Sequence, residues 1–275
     1  FSQLEWHAGE HWLLQGGGML EDVEGSGSSF SPRLAVNYLF NPQHSLRAVY
    51  SEAVRSPGMY ENDVDWRYRV RHLTPAPYGQ SEAYYFASAH GPGDLGKEHT
   101  RSREIGYNGF FRETGLAMDV RLFHEEITGL ISDPLSVVDF SPDNGDRIRF
   151  SGAEGQLDWR LGLRDRLRAT YAYLDYDATS RYDRRLTARH GGSAGWMRDW
   201  GQGWSSALFY YGDDSLNGHR FERVDLRLAK RIPLGKAALE LAGVLQQRLD
   251  DQPLTFPDNR YDSRHLLYFS AEVTF

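Results

Sequence analysis

The sequence predicts an all-β fold, an antiparallel up-and-down β-barrel that crosses a membrane on its strands. Three observations carry this reading. Apolar and polar side chains alternate with period two along most of the chain, and tight turns alternate with longer polar connections. No stretch approaches the roughly 18 uncharged apolar residues of a membrane helix.

The alternation is clearest in six segments. Leu34, Val36, Tyr38 and Phe40 oppose Arg33, Ala35 and Asn37, and Leu116, Met118, Val120 and Leu122 oppose Ala117, Asp119, Arg121 and Phe123. Ala153, Gly155, Leu157, Trp159 and Leu161 oppose Glu154, Gln156, Asp158 and Arg160, while Val224, Leu226 and Leu228 oppose Arg223, Asp225, Arg227 and Ala229. Leu239, Leu241, Gly243 and Leu245 oppose Glu240, Ala242, Val244 and Gln246. The last segment sets Leu267, Phe269, Ala271, Val273 and Phe275 against Tyr268, Ser270, Glu272 and Thr274.

Short turns are expected at 9–10, 41–44, 113–115, 164–165, 201–202 and 233–236, each with the Gly, Pro, Asn or Asp that tight turns favour. Longer connections are expected near 25–30, 56–100, 133–146, 178–188, 213–219 and 250–263. Short turns at one end and long loops at the other are the asymmetry of outer-membrane barrels, whose short turns are periplasmic. This gives roughly 13 principal strands, with two more inside 56–100. Bacterial barrels have an even strand number, so at least one strand is expected before Phe1. The opening Phe1 to His7, without initiator Met or signal core, also reads as a processed or partial chain.

Composition closes off other classes. A net charge of −7 gives no footprint for nucleic acid, and 13% aromatic residues argue against disorder. The absence of Cys removes disulfide scaffolds, Cys-ligated zinc, iron–sulfur clusters and thiol chemistry. The ten His are scattered, with no His-Glu-x-x-His, so no resident metal or cofactor is expected. A soluble β-sandwich also alternates, but seldom needs a greasy face on about a dozen consecutive strands. Gly212-Asp213-Asp214-Ser215-Leu216 resembles a GDSL nucleophile block, and Asp213, Asp214 and His219 could mimic the carboxylate and His set of outer-membrane proteases. Polar loops yield such sets by chance. The reading is therefore of a protein that is not an enzyme. A passive porin-like channel of about 14 strands is the first alternative, and an outer-membrane hydrolase the second.

Several segments, in order, resemble the C-terminal barrel half of TonB-dependent outer-membrane receptors of the siderophore-receptor type. Ser31-Pro32-Arg33-Leu34-Ala35, then Leu46 to Pro57, is similar to that family's hairpin ending in "fRxP", with Glu61 as the acidic residue that follows. Leu95-Gly96-Lys97-Glu98 and Arg103-Glu104-Ile105-Gly106-Tyr107 resemble its "LkPE … E-G" segment, with Lys97 where Pro is usual. Gly152-Ala153-Glu154 resembles G-[VA]-E, Leu174-Asp175 closes the following strand in the family style, and Val244 to Asp250 is similar to the "NLFD" segment. Phe269 and the terminal Phe275 resemble the assembly signal read by the barrel-assembly machinery. The resemblance implies that residues 1–275 are the C-terminal portion of a 22-stranded barrel in the outer membrane of a Gram-negative bacterium, a size linked to plugged transporters. The plug domain and N-terminal strands would lie outside this chain. It further implies uptake of a scarce ligand, most often a ferric siderophore, with TonB acting through the missing plug and lipid around the wall.

Within 60–90 the residues Tyr60, Trp66, Arg67, Tyr68, Arg69, Arg71, Tyr84 and Tyr85 offer flat apolar faces and cationic forks, suited to a metal chelate or other anionic small molecule. Arg55 stands at the same end. The competing reading is interfacial anchoring, since barrels carry aromatic girdles. Trp6, Trp12, Trp159, Trp200, Trp204, Tyr210 and Tyr211 are assigned to such girdles.

Overall fold

Alternation of period two puts every second side chain on the same face, so a run of such strands forms a sheet with one apolar and one polar surface. The computed structural model describes residues 1–132, 139–180, 188–216, 219–250 and 263–275. Thirteen strands form one antiparallel sheet in which each neighbour in space is the neighbour in sequence, apart from excursions. They are β1 (Ser2–Ala8), β2 (Trp12–Val23), β3 (Gly27–Asn41) and β4 (His44–Arg55), then β7 (Glu98–Phe111), β8 (Leu116–Ser132) and β10 (Asp143–Leu161). The sheet continues through β11 (Asp165–Ala178), β12 (His190–Gly201), β13 (Trp204–Leu216), β14 (His219–Leu234), β15 (Ala237–Arg248) and β16 (His265–Thr274). Helix α1 (Met59–Asp63) and strands β5 (Asp65–Arg71) and β6 (Glu82–His90) fill the long excursion, and the short β9 (Asp139–Phe140) pairs with β6 in parallel to make a separate three-stranded sheet.

The 13 principal strands and the two extra ones in the excursion agree with the sequence reading. Three details do not. The connection near 25–30 is a tight turn between Val23 and Gly27, closed by the Ser26 N–H donating to Val23 O at 3.0 Å, and β3 is already extended from Gly27. Strand β10 starts at Asp143, inside the expected loop, and β13 and β14 run to Leu216 and from His219. Polar residues continue these strands because the strands outrun the membrane. A crossing strand needs about 9–11 residues, whereas β10 has 19.

The apolar face is exposed. Leu34, Ile105, Leu122, Leu226, Leu228 and Leu267 are all large, apolar and accessible, and register pairing puts Ile105 opposite Leu122 and Leu226 opposite Leu208 and Leu245. A soluble sheet would bury such a face. At the tight-turn end it is rimmed by aromatics: Trp12 packs 4.7 Å from Tyr38, Trp196 meets Trp200 edge-on at 6.4 Å, and Lys230 Nζ lies 5.0 Å from the Trp204 ring. The indole N–H groups of Trp159, Trp196 and Trp200 donate to Thr114 O, Asp165 Oδ1 and Ser206 Oγ. At the far end the Tyr210 hydroxyl donates to Glu222 at 2.7 Å. From Lys230 to Glu222 along β14, at about 3.3 Å per residue, the span is roughly 26 Å, close to the height of a barrel's apolar band.

Tyr211 departs from its girdle assignment. It is the register partner of Arg223 on the polar face, where Arg223 Cζ lies 4.8 Å from its ring and Phe209 stacks at 6.0 Å. Girdles need side chains of the other parity. The polar face carries cross-strand ion pairs: Arg47 (β4) to Glu104 (β7) at 3.7 Å, Glu104 to Arg121 (β8) at 3.6 Å, and Arg121 to Glu154 (β10) at 3.0 Å. Further round, Asp158 takes Arg166 and Arg168, Asp225 takes Arg223 and Gln246, and Arg227 pairs with Glu240. Of the buried apolar residues, Ala35 and Val49 are paired across β3 and β4, and Ala229 and Ala242 across β14 and β15, all four on this polar face.

One tight turn depends on glycine. Gly203 has φ of +80°, and a Cβ there would lie 2.3 Å from Arg231 O. Gly201, at φ of +81°, has open space around it. Gly203→Ala should therefore cost about 1–3 kcal/mol and distinctly more than Gly201→Ala, read by urea titration in lipid vesicles. Equal costs would remove the backbone clash as the cause.

Candidate ligand-binding site at the long-loop end

The excursion between β4 and β7 is rooted by one arginine. Arg55, the last residue of β4, is the register partner of Glu98, the first of β7. Its Nε donates to Glu98 Oε2 at 2.6 Å and Nη2 to Oε1 at 2.9 Å, a bidentate pair. Nη1 donates to Glu61 Oε2 at 3.0 Å. Each carboxylate is used twice: Glu98 Oε1 also accepts the Ile131 N–H of β8 at 2.7 Å, and Glu61 Oε2 accepts the Gly58 N–H at 2.7 Å, which caps α1. Burial pushes the Glu61 carboxyl up, but the Arg55 guanidinium and the Gly58 N–H pull harder and hold it below its ordinary value. Arg55 thus faces two carboxylates of its own chain, and its described contacts are structural.

Other ties brace the same root. Asn62 Oδ1 accepts the Leu95 N–H, Asn144 bridges Gly96 and Gly129, and Lys97 Nζ donates to Gly27 O and Ser28 O at the β2–β3 turn. Lys97 stands where the resembling family has Pro, and here it gains two carbonyl partners. Gly91 allows the returning chain to press on α1, since a Cβ there would sit 2.2 Å from Asn62 O.

Above this root stands the β5–β6 hairpin. Arg67, Arg69 and Arg71 are register partners of Ser88, Tyr84 and Glu82. Arg69 is ion-paired with Glu82, whereas Arg67 and Arg71 are exposed and make no side-chain hydrogen bond or ion pair among the described residues. Trp66 and Tyr60 are exposed on the same excursion. Tyr68, Tyr84 and Tyr85 lie on β5 and β6 by their backbone, and their side chains fall outside the described residues. The structure therefore brings the basic positions onto one hairpin and assigns two of the four arginines to internal pairs. Sequence reading missed β9, and with it the fact that a second connection joins this cap.

The Gly212 to Leu216 block is part of β13, not a loop. Asp213 pairs with Phe221 and Gly191 on the polar face, and Asp214 accepts the Arg189 N–H at 2.9 Å. The Ser215 and His219 side chains fall outside the described residues.

A sheet of long strands with an apolar band, an aromatic rim, a charged opposite face and an elaborated loop end defines the wall of a transmembrane β-barrel. The family model for TonB dependent receptor-like β-barrels matches residues 1–244, and the chain belongs to that family. It is a family of receptors and transporters in the outer membranes of Gram-negative bacteria. Among solved structures the chain is similar to the siderophore receptor PirA from Pseudomonas aeruginosa, at 15% identity and a TM-score of 0.70 over 99% of this chain and 47% of that one. It is also similar to a mutant ferric enterobactin receptor, PfeA, from Pseudomonas aeruginosa in complex with enterobactin, at 16% identity and a TM-score of 0.71 over 98% and 44%. The copper transporter OprC matches at 15% identity and a TM-score of 0.66 over 98% and 46%. This chain thus spans less than half the length of each. Among curated proteins, none matches its sequence.

Proposed function

We propose that this chain is the C-terminal part of the barrel of a 22-stranded outer-membrane receptor that takes up a ferric siderophore, with a plug domain and TonB supplying the gate. Family membership supports transport by a TonB-dependent route, and favours it over the passive porin and the hydrolase. The observation that carries the ligand class is the β5–β6 hairpin, which holds Arg67 and Arg71 out of internal ion pairs, with the exposed Trp66 next to Arg67 in sequence on the other face of β5, on a root braced by Arg55, Glu61 and Glu98. Such a surface attracts and stacks on an anionic aromatic chelate. With the tight turns periplasmic, it lies outside the cell. Arg69, Tyr60, Tyr68, Tyr84 and Tyr85 complete the proposed surface, and Arg55 acts by positioning it. Phe269, whose ring covers its register partner Gly243, and Phe275 are proposed as the assembly signal for the barrel-assembly machinery.

The test uses the full receptor and ferric enterobactin as probe. Arg67→Ala with Arg71→Ala should weaken binding tenfold or more, about 1.4 kcal/mol, with assembly intact by heat-modifiable gel mobility. An affinity unchanged by titration would place recognition elsewhere.

A further inference from the structure

Two opposed irregularities lie side by side at the long-loop end of β8 and β10. The register passes from Asp143 opposite Ser132 to Asp146 opposite Leu130, three steps on β10 against two on β8, and then to Arg147 opposite Thr128, one step against two. Each strand therefore carries one extra residue, and the two bulges cancel. Bulges re-aim side chains at sheet ends. On β8 the extra residue is Gly129, at φ of +64°, where a Cβ would stand 3.0 Å from Lys97 O. On β10 the bulge contains Asn144, and its side chain reaches past β8 to the segment that leads into β7. Asn144 Oδ1 accepts the Gly96 N–H at 2.6 Å, and Nδ2 donates to Gly96 O at 3.0 Å and to Gly129 O at 2.7 Å. Both amide protons and the carbonyl are used, so the side chain pairs with Gly96 as a neighbouring strand would.

Gly96 and Asn144 belong to different connections. Gly96 ends the excursion after β6, whereas Asn144 closes the β8–β10 connection just after β9. Strand β9 lies along β6, with Phe140 the register partner of the buried Ala89. The two connections are thus joined twice, at β6–β9 and at Gly96–Asn144, and they close a ring on the β5–β6 hairpin. The Arg55 cluster meets this ring on β8, where Glu98 holds the Ile131 N–H and Asn144 holds the Gly129 carbonyl. Other ties of β10 do not touch the excursion: Asp146 accepts the hydroxyls of Ser132 and, at 2.7 Å, of Thr179 at the end of β11.

We propose that Asn144 is a positioning residue for the cap: it locks the β8–β10 connection to the end of the excursion, so that β9 holds the β5–β6 hairpin in place and both connections answer a ligand as one body. The part the cap plays in binding rests on the uptake reading above, whereas the coupling does not. A carboxylate at this position has the same shape but no donor, and it would set its charge against the Gly96 and Gly129 carbonyl oxygens.

The experiment is hydrogen exchange, read by mass spectrometry on the full receptor in lipid vesicles without ligand. Asn144→Asp should speed exchange over 82–97 and 139–146 together by about tenfold, equivalent to about 1.4 kcal/mol, and leave Ile105 and Leu122 slow. Gly129→Ala attacks the same contact from β8 and should give the same pattern. Thr179→Ala is the control for a general loss of strand-end stability, since it unties β10 from β11 and leaves Asn144 and Gly96 alone, and 82–97 should not respond to it. Unchanged exchange over 82–97 in either of the first two variants, the same response in Thr179→Ala, or a loss that spreads to Ile105 and Leu122 would each overturn the proposal. With ferric enterobactin as probe, Asn144→Asp should also speed dissociation by about threefold or more. If Arg67→Ala with Arg71→Ala weakens binding while Asn144→Asp leaves dissociation unchanged, the positioning role is refuted. If neither affects binding, the ligand surface lies elsewhere, and the coupling stands on the exchange data.

Discussion

Leu226→Arg in the full receptor is expected to lower folding stability by about 2–4 kcal/mol, the cost of an arginine on the lipid side near mid-membrane. Leu226 sits midway between the Lys230 level, rimmed by Trp204, and the Glu222 level, where Tyr210 donates its hydroxyl, and its register partners are Leu208 and Leu245. An arginine there has no carboxylate at its own level on the apolar face, and both polar rims are several residues away along the strand. Arg227→Leu, one residue on, is the control: it removes a guanidinium paired with Glu240 on the polar face, and Glu240 remains partly open to solvent. Its cost should be well below that of Leu226→Arg. Denaturant titration into lipid vesicles measures both, and equal costs would overturn the face assignment.

The same parity argument explains what the sequence shows and what it hides. Period two is visible wherever one face must meet lipid and the other must not, so β3, β8, β10, β14 and β15 are legible from Leu34, Leu122, Leu157, Leu226 and Leu241. Above the membrane both faces are wet and the signal disappears. Gly25-Ser26-Gly27-Ser28 therefore looks like a loop, although Ser28 already pairs with Asp22 and donates its hydroxyl to that carboxylate at 2.8 Å. Residue type alone places Tyr211 in a girdle, but its odd number within β13 sends it to the polar face beside Phe209. Strand β9 has two residues and exists only through its distant partner β6, so no local pattern announces it.

The candidate site was legible in part for a related reason. A dense set of Arg, Tyr and Trp marks the excursion, but whether a given arginine is free depends on carboxylates far away in sequence. Glu98 lies 43 residues from Arg55, and in the sequence Glu61 stands out only through the family resemblance. Pairing between strand ends decides which cations remain for a ligand: Arg55 and Arg69 are engaged by Glu61, Glu98 and Glu82, and Arg67 and Arg71 are not.

Arg55→Ala should show how far that root controls the cap. Glu98 is nearly buried and would keep only the Ile131 N–H, so removing its cationic partner leaves a poorly compensated carboxylate. Breaking a pair of this kind costs about 3–5 kcal/mol when it is fully buried, and Arg55 is half exposed, so about 2–3 kcal/mol is expected here. The loss should be local, because the interstrand ladder of β4 with β7 continues below the root from Val54 and His99 downward. Hydrogen exchange should speed up at Gly58, Asn62, Gly91 and Ile131, whose N–H groups are tied directly or through α1 to this cluster, and should stay slow at Ala48 and Ile105. Acid should mimic the substitution in wild type. The Glu61 carboxyl is held low in the folded protein, so its contribution is present above the ordinary carboxylate range and fades as pH falls through and below it. If exchange at Ile131 and Gly58 is the same in Arg55→Ala as in wild type, the cap is held by Asn144 and Lys97 instead, and the arginine returns to the set of residues available to the ligand.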